Sequence, residues 1–99
     1  MRYPVRMLCP TPESRLCDQR GRPYFLWDSD VTLTALREHL AADDDDRRAY
    51  WLAKLMRQAK PDDALTIAGP DEMRRLWPRL ESTLGRTRAF WAWYLDWAR

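Results

Sequence analysis

The chain is poor in glycine, cysteine and histidine, with three, two and one of them in 99 residues, and each shortage removes a class of chemistry. Three scattered glycines leave no glycine-rich loop to cradle a phosphate. Cys9 and Cys17 are separated by seven residues in a proline-containing segment, which fits no usual zinc spacing, and His39 is the only imidazole that could join them. Free thiols are therefore expected, with no metal and no cofactor. A cysteine nucleophile fares no better, because Cys9 or Cys17 would have to reach His39 with no oxyanion loop nearby. No apolar run approaches the ~18 residues that mark a membrane span. The amino terminus also lacks the charged-then-apolar pattern of a secretory signal. The expectation is a cytoplasmic protein without a membrane partner. Met7 is a second candidate start, so nothing rests on the first six residues.

What the chain does have is aromatic surface. Six tryptophans stand among its 99 residues, and a domain of this size buries only about two thirds of the surface its unfolded chain exposes. Tryptophan is hard to bury completely in so thin a core and is enriched at the centres of protein interfaces, so part of this surplus should face a partner. Charge is unevenly spread: residues 1–26 carry a net +3, residues 27–46 a net −6 and residues 47–99 a net +5.

The pattern along the chain is helical. Residues 1–22, with Pro4, Pro10, Pro12 and five arginines, sustain no apolar period and read as an extended arm. Residues 23–99 read as one all-α domain, a compact bundle of about four helices. It opens on a short apolar run, Pro23 to Trp27, that five residues cannot assign to strand or to a stretch packing under helices. Asp30 or Thr32 can cap a helix whose Leu33, Leu36 and Leu40 share one face. His39 lies off that stripe and reads as a partly exposed structural residue. Asp43 to Asp46 then precede a long helix with Leu52, Leu55, Met56 and Ala59 on its apolar face, widened by Tyr50 and Trp51. Four carboxylates there suit the partial positive charge of a helix amino terminus better than a metal. Pro61-Asp62-Asp63 should break that helix, Gly69-Pro70 should start another, and Pro78 should end or kink it.

The final helix, opening at Gly85 or Thr87, is the most informative. At 100° per residue Phe90, Trp93, Tyr94 and Trp97 gather on one side, and Trp91, Leu95 and Ala98 on the other. One side can pack on the domain, leaving the other to dock elsewhere. The predicted partner-binding residues are Trp91, Trp93, Tyr94, Trp97, Arg86 and Arg88. Trp51 and Trp77 fall on faces that a small core can use, and Trp27 is expected to pack beneath them.

Two other functions compete with this one. Asp28 and Asp30, after Phe25-Leu26-Trp27, fit the Asp-x-Asp-x-Thr pattern of haloacid dehalogenase-like phosphohydrolases, in which one aspartate attacks phosphorus beside magnesium and the other moves a proton. That chemistry needs a parallel sheet, for which no second strand signal follows, so an aspartate cap and turn is the preferred reading. Nucleic-acid binding is the runner-up, with Arg74, Arg75, Arg79, Arg86 and Arg88 contacting phosphates and the terminal indoles stacking on bases.

The residues Arg22-Pro23-Tyr24-Phe25-Leu26-Trp27-Asp28, Arg48 to Leu55 with Arg57, Pro61-Asp62-Asp63, Trp77-Pro78 and the Trp91 to Trp97 helix resemble a group of small uncharacterised bacterial proteins. The likeness spans about residues 22–97. Members of that group look like companions of abortive-infection nucleotidyltransferase toxins of the AbiE type, which implies an antitoxin or accessory role and carries over no catalytic residue. A toxin partner, or a second copy of the chain, would account for the surplus tryptophan. A basic toxin would also complement the −6 block around Asp28 to Asp46.

Overall fold

A computed structural model describes residues 8–97. Seven α-helices occur among them: α1 (Glu13–Leu16), α2 (Leu33–Leu40), α3 (Asp45–Gln58), α4 (Pro61–Ile67), α5 (Pro70–Arg75), α6 (Trp77–Leu80) and α7 (Arg88–Trp97). Short 3-10 turns at Glu81–Thr83 and Gly85–Thr87 link α6 to α7. The chain is all-α, with no strand among the described residues beyond one isolated bridge between Cys17 and Pro23. The number of helices exceeds the expected four by α1, a single turn within the segment expected to be an extended arm, and by α4 and α6, both opened by proline. Pro61 and Pro70 each start a helix in its first turn, and Pro78 opens α6 after α5 has ended at Arg75. Gly69, at φ +82° and ψ 154°, makes the bend between α4 and α5 in a backbone region open to glycine and costly for other residues.

Local capping follows the sequence. Thr32 Oγ1 accepts the Ala35 amide at 3.1 Å to start α2, and Asp44 Oδ1 accepts the Asp46 amide at 2.9 Å to start α3. Helix α3 is the hub, packing against α2, α4, α6 and the Gly85–Thr87 turn. Its stretch Leu52 to Met56 is buried on every side, Lys54 included, so it is this middle stretch of α3, and not α7, that is enclosed all round. Leu36, Leu52, Leu55, Met73, Leu76, Leu80, Leu84 and Trp91 close the core around it. Tyr50, expected to widen the apolar face of α3, instead stands out into solvent, while Trp51 is half-buried and stacks on His39 with centroids 4.4 Å apart.

The apolar run Pro23 to Trp27 forms neither strand nor helix. Two successive turns, closed by Leu26 N–H to Pro23 O (3.1 Å) and Ser29 N–H to Leu26 O (3.1 Å), send Phe25 and Leu26 into the core. The same reversal sends Trp27 outward. It is 71% exposed, which corrects the expectation that it packs beneath the helices.

The expected arm is tied to the domain over its described part. Asp62 Oδ2 accepts the Cys9 amide at 2.8 Å, and Asp63 accepts both the Thr11 amide (2.6 Å) and the Thr11 hydroxyl (2.7 Å). Tyr24 adds a third strap: its hydroxyl donates to Asp63 at 2.6 Å and accepts the Lys60 amide at 2.8 Å. Residues 1–7 of the arm and Ala98 of the final helix lie outside the described residues.

Candidate functional site: the aromatic face of α7

The entry to α7 is set by its sequence. Gly85 takes φ +55°, and the Thr87 hydroxyl donates back to the Leu84 carbonyl at 2.6 Å, closing the 3-10 turn from which the helix begins at Arg88. Two positions then fix the helix to the domain. Trp91 is 1% exposed, its indole N–H donating to the Met56 carbonyl of α3 at 3.0 Å, and Leu95 is buried beside it. From α5, Arg74 Nε donates to the Leu95 carbonyl at 3.1 Å.

The opposite side is open. Phe90, Trp93 and Trp97 are 39%, 57% and 41% exposed, with Tyr94 half-buried at the border of the core. These rings contact one another along the helix. Phe90 stacks on Tyr94 (6.0 Å, 19°) and Trp93 on Trp97 (5.7 Å, 14°), while Phe90 and Trp93 stand 6.0 Å apart and Tyr94 and Trp97 5.9 Å. As i, i+3 and i, i+4 neighbours on an exposed helix face, such pairs contribute about 0.2–0.5 kcal/mol each. The stripe is thus held in one arrangement before anything binds, which lowers the entropy lost on docking.

The six sequence-predicted binding residues therefore divide. Trp93 and Trp97 lie on the open face, with Tyr94 at its edge, whereas Trp91 belongs to the core and is removed from the set. Arg88 is ion-paired with Glu81. Arg86 is exposed in the turn before α7 and makes no ion pair among the described residues. Phe90, which the helical angle had placed on the same side, joins the stripe. Trp27 and Tyr50 are further exposed aromatics: Trp27 lies in turns, where no period places it, and Tyr50 lies nearly opposite Leu52 and Leu55 around α3, so the apolar face does not extend to it.

The arginines proposed for nucleic acid are largely engaged. Arg74 pairs with Asp71 (3.0 Å), Arg75 with Asp45 (3.0 Å) and Glu72 (2.9 Å), and Arg79 with Asp46 (2.6 Å). A phosphate would have to compete with these carboxylates. The same contacts alter the picture of the −6 block. Asp45 and Asp46 clamp α3 to α5 and α6, and the Arg75 hydrogen bond holds Asp45 below the usual carboxylate range. Much of the block's charge is matched within the chain.

Asp28 and Asp30 are likewise paired. Lys54 Nζ lies 2.8 Å from Asp28 Oδ2 and holds that carboxyl low, Gln58 donates to its other oxygen at 3.4 Å, and Arg22 Nη1 lies 3.2 Å from Asp30. The parallel sheet that a phosphohydrolase site would need is absent from the described residues. Nor do they contain a group of three or more His, Cys, Asp or Glu side chains able to hold a metal. No helix among them is long and apolar enough to cross a membrane. Compared with known proteins, the chain matches no protein-family model, no curated protein and no solved structure.

Proposed function

We propose that the chain is a non-catalytic interaction module that presents the Phe90, Trp93 and Trp97 stripe to a protein partner. The observation that carries this reading is a pre-stacked aromatic face left open by a helix whose other side is locked into the core. With ~150–250 Å² per aromatic side chain, the exposed fractions amount to about 300 Å² of ring surface. A specific interface needs about 800 Å² from each partner. The stripe is accordingly the centre of an interface whose rim lies beyond it, and two copies meeting through the stripes alone would bury too little.

The rim at the amino-terminal end of α7 is basic. Arg86 is unpaired among the described residues, and Arg57 donates to the Thr83 carbonyl without an ion pair there. The favoured occupant is a protein surface with an apolar socket bordered by carboxylates. The resemblance noted in the sequence makes a nucleotidyltransferase toxin the first partner to test, with this chain as its antitoxin or accessory subunit acting in the cytoplasm.

Salt separates this reading from nucleic-acid binding. A titration against the toxin should give an affinity that changes only a fewfold between 50 and 200 mM salt. Binding to a single-stranded RNA through the five arginines would weaken by a factor of roughly 10² over that range. Tight RNA binding with that steep salt slope, together with no toxin complex, would replace the proposal.

A further inference from the structure

On a different face from the aromatic stripe, a cavity of about 420 Å³ opens between α2, α3 and the α4–α5 junction. That volume falls in the range of small-molecule sites, about 300–1,000 Å³. Its apolar wall comes from Leu40, Leu52, Ile67 and Leu76, of which Leu52 and Leu76 are core residues. Two arginines complete it. Arg37 is exposed and makes no ion pair among the described residues, while Arg48 is bound through Nη2 to Glu72 at 2.6 Å. The Arg48 Nε–H has no acceptor but is enclosed by protein atoms, and Nη1 donates to the Ala42 carbonyl at 3.5 Å, so what Arg48 offers the cavity is its positive charge more than a free donor.

Charge and shape together narrow the ligand. Glu72 also receives Arg75, which in turn holds Asp45, so the group consists of three cations and two carboxylates and leaves one net positive charge. Glu72 is kept ionised by Arg75 and Arg48, and its negative charge in the wall opposes a dianion such as phosphate. The leucine and isoleucine wall favours a hydrocarbon body over a sugar or nucleotide. We propose that this cavity binds a small monocarboxylate with an apolar tail, its carboxylate taken by Arg37 beside the positive charge of Arg48 and its tail lying on Leu40, Leu52, Ile67 and Leu76.

The test is an amide chemical-shift titration of the whole chain with sodium octanoate. Octanamide serves as the neutral control of equal shape, and inorganic phosphate as the anion without a tail. Octanoate should give saturable shifts centred on residues 37–41 and 67–72, octanamide should bind about tenfold more weakly, and phosphate should not saturate. Arg37→Gln changes an exposed, unpaired side chain, so the fold is retained and octanoate affinity should fall about fivefold or more. The proposal is overturned by absent or displaced octanoate shifts, by equal binding of octanamide, by saturable phosphate binding, or by an Arg37→Gln variant that binds octanoate as well as the parent.

Discussion

Replacing Trp91 by alanine removes a fully enclosed indole and leaves the Met56 carbonyl without its 3.0 Å donor. Buried aromatic-to-alanine changes cost about 3–5 kcal/mol. Trp93→Ala, two residues along the same helix, removes an exposed ring whose stacking partner is Trp97, and the loss should stay within about 1 kcal/mol. Urea unfolding of the two variants measures the contrast; equal losses would mean that the two faces of α7 are not divided as described. The two sides were legible in the sequence because a ten-residue helix samples its period nearly three times, enough to separate Trp91 and Leu95 from Phe90, Trp93 and Trp97; which side faces the core was not, and Trp91 counted among the binding residues. Trp27 was not legible. A five-residue run carries no period, and its direction depends on two turns whose hydrogen bonds are set by backbone geometry.

At the scale of elements, the clasp between the amino-terminal segment and α4 is the feature that the sequence hid. Pro61-Asp62-Asp63 reads as the break after a helix, and in the fold Asp62 and Asp63 stand in the first turn of α4. Nothing local says that their carboxylates also receive Cys9 and Thr11, more than 50 positions away. The clasp should respond to pH at both ends. Burial, then the hydrogen bond to ionised Asp63, pushes the Tyr24 phenol up to about 12. A raised acid pKa means that the folded state holds the proton more tightly, so this contribution is complete below about pH 10 and fades as pH rises through 12. Burial raises the Asp63 carboxyl, but hydrogen bonds from Tyr24 and Thr11 outweigh it and leave the pKa below its usual value. Its contribution is therefore complete above about pH 4 and is lost as pH falls through the depressed value. The stability difference between the parent chain and Tyr24→Phe should accordingly shrink between pH 10 and 12. A difference that stays constant over that range would show that the phenol proton does not hold the clasp.

For the whole molecule, the all-α class and the capping of α2 and α3 followed from apolar spacing, proline positions and acids before helices. These signals are local and survive folding unchanged. The fate of charge was not local. The −6 block read as a surface for a partner, yet Asp28, Asp45 and Asp46 reach Lys54, Arg75 and Arg79, so the blocks counted along the chain largely meet one another in the fold. Trp27 and Tyr50 are exposed elsewhere, but the exposed aromatics that form one connected stripe are those of α7. The most direct measurement is calorimetric titration of an abortive-infection nucleotidyltransferase toxin from the same organism with the parent chain and with the Trp93→Ala, Trp97→Ala double variant, after confirming that the variant remains folded. The parent should form a complex and, with two central aromatic anchors removed at about 2 kcal/mol or more together, the variant should bind at least tenfold more weakly. No complex with the parent, or one that the double variant forms equally well, would contradict the proposed function.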